Sequence, residues 1–210
     1  LDLQQIFTLA GDPGKNLYAG GFPGGKILAI SAEGEVSEYY DTGQTAVWAL
    51  YVDAGGTLFA ATGDNGKIFK IDPDGSGSVL YDSRETRILS LAGDSQGNLY
   101  AGSDQNGIIY RFDRTGDVSV LYDTKLEEVT AMTVDAEQNL YAVSSPGDLF
   151  MKMSPPATAP VMAKAAASMG HMMMANDGGS NGQPAAPLPG VPAIPNSKKR
   201  TCIIYKIDKN

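Results

Sequence analysis

The chain has 210 residues, 42% of them apolar, with a formal net charge of -8 and an isoelectric point near 4.6. That apolar share can build a packed core, whereas the acidic balance disfavours nucleic-acid binding, which needs a basic surface. The only cysteine is Cys202, so no internal disulfide is possible, and no apolar run reaches the roughly 18 residues of a membrane helix.

Leu1 lies a few residues before a repeat begins, with neither an initiator Met nor a signal-peptide pattern, so the chain reads as processed or trimmed. From there the sequence repeats every 41 residues, four times. Asp12, Asp53, Asp94 and Asp135 hold one column, Leu17, Leu58, Leu99 and Leu140 a second, and Ala19, Ala60, Ala101 and Ala142 a third. A fixed period near 40 with several short strands per period is the pattern of a β-propeller, one blade per repeat.

The second copy shows one blade. AVWALYVD (46–53), TLFAAT (57–62), GKIFKID (66–72) and SVLYD (78–82) have strand length, are rich in β-branched and aromatic residues, and are bounded by Gly, Asp, Asn or Pro. The expected fold is therefore all-β: four antiparallel strands per blade, here called a to d from the channel outward, and about four blades present. Within GKIFKID, Ile68 and Ile71 fall near opposite faces, as in a sheet packed on both sides. The Asp column precedes the first turn, where an Asx-type bond to the turn backbone is the ordinary reading and metal binding the alternative.

A meander of four strands puts the a–b and c–d turns at one end. The b–c loops and d–a connections lie at the other end and vary more between copies, as loops that build a site on a rigid scaffold do. Candidate contacts there are Asp64, Asn65, Arg84, Glu85, Asp104, Gln105, Asn106 and Lys125. Each has the plainer alternative of solvating its own loop.

The fourth copy departs from the pattern after LYAVSS (140–145). IIYKID (203–208) is preferred as its strand c because it matches IIYRFD (108–113) and restores the aspartate; GDLFMKM (147–153), in uninterrupted register, is the rival. The expected organisation is thus blades 1 to 3 and the first half of blade 4 over 1–145, an insertion in a b–c loop over 146–200, and strand c over 201–210. The insertion is rich in Pro, Ala, Gly, Ser and Met, a composition that does not offset its own ordering entropy. His171, Met172, Met173 and Met174 are weak candidates for a soft metal ion such as Cu(I), and methionines serve equally as adaptable apolar contacts. With three full blades and three strands of another, the chain is expected either to belong to a longer polypeptide of six to eight blades or to share a ring with other chains.

The stretch AVWALYVDAGGTLFAATGDNGKIFKIDPDG (46–75) resembles the repeats of ligand-sensing propellers in bacterial two-component regulators, and is similar to NHL-type and gluconolactonase-like bacterial repeats. The resemblance rests on LY-A, G-I-Y and D-G positions shared by many propellers. It implies an extracytoplasmic bacterial protein, since similar repeat chains often carry Pro/Ala-rich interruptions of a blade and several are exported. The Gly-His and Trp-Asp marks of WD repeats are absent, and Tyr40, Tyr81 and Tyr122 stand where quinone-binding repeats end in Trp.

The leading expectation is a non-catalytic scaffold that binds a protein or small ligand at the b–c/d–a end, with no cofactor, no nucleic acid and no membrane span. The alternative is a gluconolactonase-like, metal-dependent hydrolase completed by further blades. Its metal ligands should open the a strands, yet these begin Gln5-Ile6-Phe7, Ala46-Val47-Trp48, Arg87-Ile88-Leu89 and Glu128-Val129-Thr130. Glu128 alone suits a hard cation. The sole histidine, His171, lies in the insertion, so a Ser-His-Asp arrangement is not expected within the blades.

Overall fold

The computed structural model describes residues 3–12, 16–147 and 202–208. Among these there is no helix. Blade 1 is the meander β1 (Gln5–Gly11), β2 (Leu17–Phe22), β3 (Lys26–Ile30) and β4 (Val36–Asp41). Blade 2 repeats it with β5 (Val47–Val52), β6 (Leu58–Thr62), β7 (Lys67–Ile71) and β8 (Gly77–Asp82). Blade 3 consists of β9 (Ile88–Gly93), β10 (Leu99–Ser103), β11 (Ile108–Phe112) and β12 (Val118–Asp123). In blade 4, β13 (Glu128–Val134) and β14 (Leu140–Ser145) are joined by β15 (Ile203–Ile207), which pairs antiparallel with β14 from Ser144↔Ile203 to Leu140↔Ile207. The IIYKID segment therefore occupies the third-strand position; all but the first residue of its rival lies outside the described residues.

Burial on both faces holds the blades together. Ile68 points into the cluster shared with blade 3, beside Ile88, Leu99 and Tyr110, while Ile71 points into the one shared with blade 1, beside Ile27 and Val47. A third cluster joins Ile109 and Tyr100 of blade 3 to Val129, Leu140 and Ala142 of blade 4. Burying one such side chain contributes about 1.5–3 kcal/mol, so these stacked layers are the main cohesion of the array. Polar stitches add to it: the Leu50 amide donates to Thr8 Oγ1 (3.0 Å), and the Ser90 hydroxyl donates to the Val129 carbonyl (2.8 Å).

The inner strands pack in sequence, β1 on β5, β5 on β9 and β9 on β13. Among the described residues no comparable packing returns from β13 to β1. Two isoleucines mark the open ends. Ile6 is 57% exposed although its equivalents Val47, Ile88 and Val129 are fully buried, and Ile204 is 72% exposed although Ile27, Ile68 and Ile109 are fully buried.

The Asp column forms Asx turns. Asp94 Oδ1 accepts from the amides of Gln96 (2.9 Å) and Asn98 (2.8 Å), and its Oδ2 from Asn98 Nδ2 (2.6 Å) and the Tyr100 hydroxyl (2.9 Å). Asp12, Asp53 and Asp135 cap their turns through the same amide four residues on. These carboxylates serve the turns.

Candidate functional site at the loop end

The b–c loops and d–a connections share one end of the blades and are laced together there. The Thr42 amide donates to the Gly25 carbonyl (3.1 Å), the Thr124 amide to the Gly107 carbonyl (3.0 Å), and the Gly24 amide to the Thr45 carbonyl (2.8 Å). The lacing requires glycine: Gly66 and Gly107 have φ of +55° and +60°, and a Cβ at either would strike the facing connection.

Most of the candidate contacts take part in this lacing. Asp64 Oδ2 accepts from the Thr45 amide (3.1 Å), and the Asn65 amide donates to the Thr86 carbonyl (3.3 Å). Glu85 is buried, its carboxylate accepting from the Tyr110 hydroxyl (3.0 Å) and from Asn106 Nδ2 (2.9 Å). Burial first, then the hydrogen bond and charge of Glu85, push the Tyr110 phenol well above its usual range. Asp104 is 0% exposed and accepts from the Arg87 amide (2.8 Å) and from Arg87 Nε (2.6 Å). The side chains of Arg84, Gln105 and Lys125 instead project to solvent around this end. Arg84 and Gln105, like Asp64 and Asn65, have positive φ, which marks tight, shaped loop tips. His171, Met172, Met173 and Met174 lie outside the described residues.

Inside this rim runs a feature that sequence reading missed. Every inner strand carries a β-bulge at one column: pairing skips Phe7 between Ile6 and Thr8, Trp48 between Val47 and Ala49, Leu89 between Ile88 and Ser90, and Thr130 between Val129 and Ala131. A bulge re-aims its side chain out of the regular alternation. Phe7 and Trp48 stack with ring centroids 4.5 Å apart and an interplanar angle of 10°, and Arg87 Cζ sits 5.2 Å from the Trp48 ring centroid. All three are half-buried. The result is a partly exposed Phe7–Trp48–Arg87 stack, a wall at the loop end of the inner strands. Its guanidinium is neutralised by Asp104, so the wall suits apolar groups better than anions. The visible signal was the only tryptophan standing in the column of Phe7.

The inner strands open on Gln5, Ala46, Arg87 and Glu128, a set with a single carboxylate. Glu128 Oε2 accepts from the buried Ser145 hydroxyl (3.3 Å). Among the described residues no group of three His, Cys, Asp or Glu side chains is placed to hold a metal ion.

No family model matches the chain, and no curated protein matches it. Solved structures do. A chain of the nidogen/laminin complex superposes with a TM-score of 0.61 at 24% identity, over 66% of this chain and 56% of that one. A streptogramin B lyase gives 0.59 at 15% identity (68% and 49%), and a putative gluconolactonase 0.54 at 15% identity (65% and 56%). At these identities the likeness shows the β-propeller fold alone. The chain spans about half the length of the structures it matches. Their names cover a protein complex and enzymes alike.

Proposed function

We propose that the chain is a non-catalytic β-propeller scaffold that binds a protein or small ligand at its b–c/d–a end. The observation that carries this reading is the Phe7–Trp48–Arg87 wall, re-aimed by bulges at the end where the loops vary. Aromatic surface with a neutralised guanidinium offers much contact area at little entropic cost. Arg84, Gln105 and Lys125 supply the rim, and Asp64, Asn65, Glu85, Asp104 and Asn106 hold the loops that shape it. A neighbour in fold that belongs to the nidogen/laminin complex supports a protein as the occupant. The resemblance to bacterial repeat chains, several of them exported, supports an extracytoplasmic location, and the exposure of Ile6 and Ile204 supports further blades or other chains completing the ring beside them.

The test is a selection from a peptide library and from a set of planar small molecules, with hits re-measured on variants. Trp48→Leu and the pair Arg84→Ala with Lys125→Ala should each weaken binding at least tenfold, about 1.4 kcal/mol or more. Thr115→Ala, at the opposite end, should leave it unchanged. Hits that bind all of these proteins equally refute the assignment.

A further inference from the structure

Four equivalent isoleucines differ in one respect. Ile27, Ile68 and Ile109 are fully buried, and each lies directly opposite a tyrosine of the outer strand, Tyr40, Tyr81 or Tyr122. Ile204 occupies the same position in β15 and is 72% exposed. Among the described residues no strand pairs with the outer edge of β15. Such an edge presents a row of backbone donors and acceptors that another segment can extend. Of the devices that blunt an edge, β15 carries an exposed lysine, Lys206, which is paired with Asp208 at 2.9 Å; it has no proline, and its pairing with β14 runs without a bulge.

The three outer strands show what fits. They read VSEYYD (36–41), GSVLYD (77–82) and VSVLYD (118–123) and share one register. The final aspartate lies opposite the first residue of the third strand, as in Lys26↔Asp41, Lys67↔Asp82 and Ile108↔Asp123. The tyrosine lies opposite the isoleucine, one residue is bulged, and the serine lies opposite Ala29, Lys70 or Arg111. Transferred to β15, this register sets an aspartate opposite Ile203, a tyrosine opposite Ile204 and a serine opposite Lys206. The tyrosine is the specific element, because a ring covering a β-branched partner is among the better cross-strand pairs.

We propose that the free edge of β15 receives an extended polypeptide segment of the pattern (Val/Gly)-Ser-(Val/Glu)-X-Tyr-Asp, running antiparallel with its tyrosine over Ile204. The inference rests on the reading that the ring is completed beside Ile204, but the surface is distinct from the Phe7–Trp48–Arg87 site at the loop end, so its failure leaves the binding assignment there untouched. A second copy pairing through its own β15 is the competing occupant. It is disfavoured because IIYKI does not carry the pattern.

The experiment uses the 210-residue chain and a synthetic peptide copying residues 116–124, GDVSVLYDT. Hydrogen exchange is followed residue by residue with increasing peptide. Exchange of β15 amides should slow at least tenfold, with β1 to β12 unchanged, and should saturate by about 1 mM peptide. A peptide with the tyrosine replaced by alanine should bind at least tenfold more weakly, as should the native peptide on Ile204→Ala; unchanged exchange in β1 to β12 reports that this variant is folded. No slowing at the highest concentration, or equal slowing by a scrambled peptide, overturns the proposal. So does β15 protection that grows with protein concentration in the absence of peptide, which would identify a second copy as the occupant.

Discussion

The Tyr110 hydroxyl donates to Glu85 Oε1 at 3.0 Å, tying the third strand of a blade to the connection that leads into that blade. One repeat earlier the same columns hold Phe69 and Gln44, and the Gln44 Oε1 atom is buried without a hydrogen-bond partner. The repeat thus contains both the filled and the unfilled version of one interaction. Phe69→Tyr should stabilise the protein by about 1 kcal/mol, and Tyr110→Phe should destabilise it by about 1–3 kcal/mol because a buried carboxylate loses a donor. Urea midpoints of both variants decide the matter; a destabilising Phe69→Tyr contradicts the equivalence.

Arg87 serves two partners, the Trp48 ring and the fully buried Asp104. Replacing it as Arg87→Met takes the guanidinium from the buried Asp104 and leaves it only the backbone amide of residue 87, which should cost about 3–5 kcal/mol. The double variant Arg87→Met with Asp104→Asn should recover much of that loss. Equal stabilities of the single and double variants would mean that the pair is not coupled as described.

Ile68 and Ile204 occupy one column with opposite surroundings. Ile68→Ala should cost about 2–5 kcal/mol through the cavity it leaves between blades 2 and 3. Ile204→Ala, on the open face, should stay within about 0.5 kcal/mol. A large loss at Ile204 would show that its face is already covered in the isolated chain.

Two sets of groups give stability opposite pH dependences. Burial opposes ionisation of Asp94, but the hydrogen bonds from Asn98, Tyr100 and Gln96 outweigh it and hold its carboxyl below the ordinary 3.8. Asp135 and Asp113 are lowered chiefly by the side chains of Asn139 and Thr115. A lowered pKa gives a contribution present above the unfolded value and lost as pH falls through the folded one. Stability should therefore decline below about pH 4, and less steeply in Asp94→Asn. Burial, followed by the hydrogen bond to Asp94, raises Tyr100 from 10.0 to about 12. Its contribution is complete below pH 10.0 and lost as pH rises through about 12, so Tyr100→Phe should flatten the alkaline limb. Denaturant midpoints across pH measure both limbs, and parallel acid limbs for wild type and Asp94→Asn would rule out this role for Asp94.

Much of the fold is legible in the sequence because the columns are chemical. Ile68 and Ile71 lie on opposite faces as their spacing requires, and the Asp column caps turns because carboxylates accept from the amides that follow. The site is less legible. Periodicity assigns a face only while pairing is regular, and the bulges at Phe7 and Trp48 break it where the wall forms. Nor does local pattern show that Asp104 meets Arg87, or Glu85 meets Tyr110, since each pair comes together only when the meander of the blade folds. Loop residues chosen for polarity and position thus divided into those that hold the loops and those that face solvent.

The most direct test of the central claim uses the single tryptophan as its own reporter. With 5-fluorotryptophan incorporated, the protein has one ¹⁹F resonance, from Trp48 at the loop end. Any ligand or peptide found to bind by an independent method should shift or broaden that resonance in proportion to occupancy, while amide signals of the Asp94 and Asp135 turns at the opposite end stay in place. Saturated binding that leaves the Trp48 resonance unmoved and shifts the turn amides instead would contradict the account.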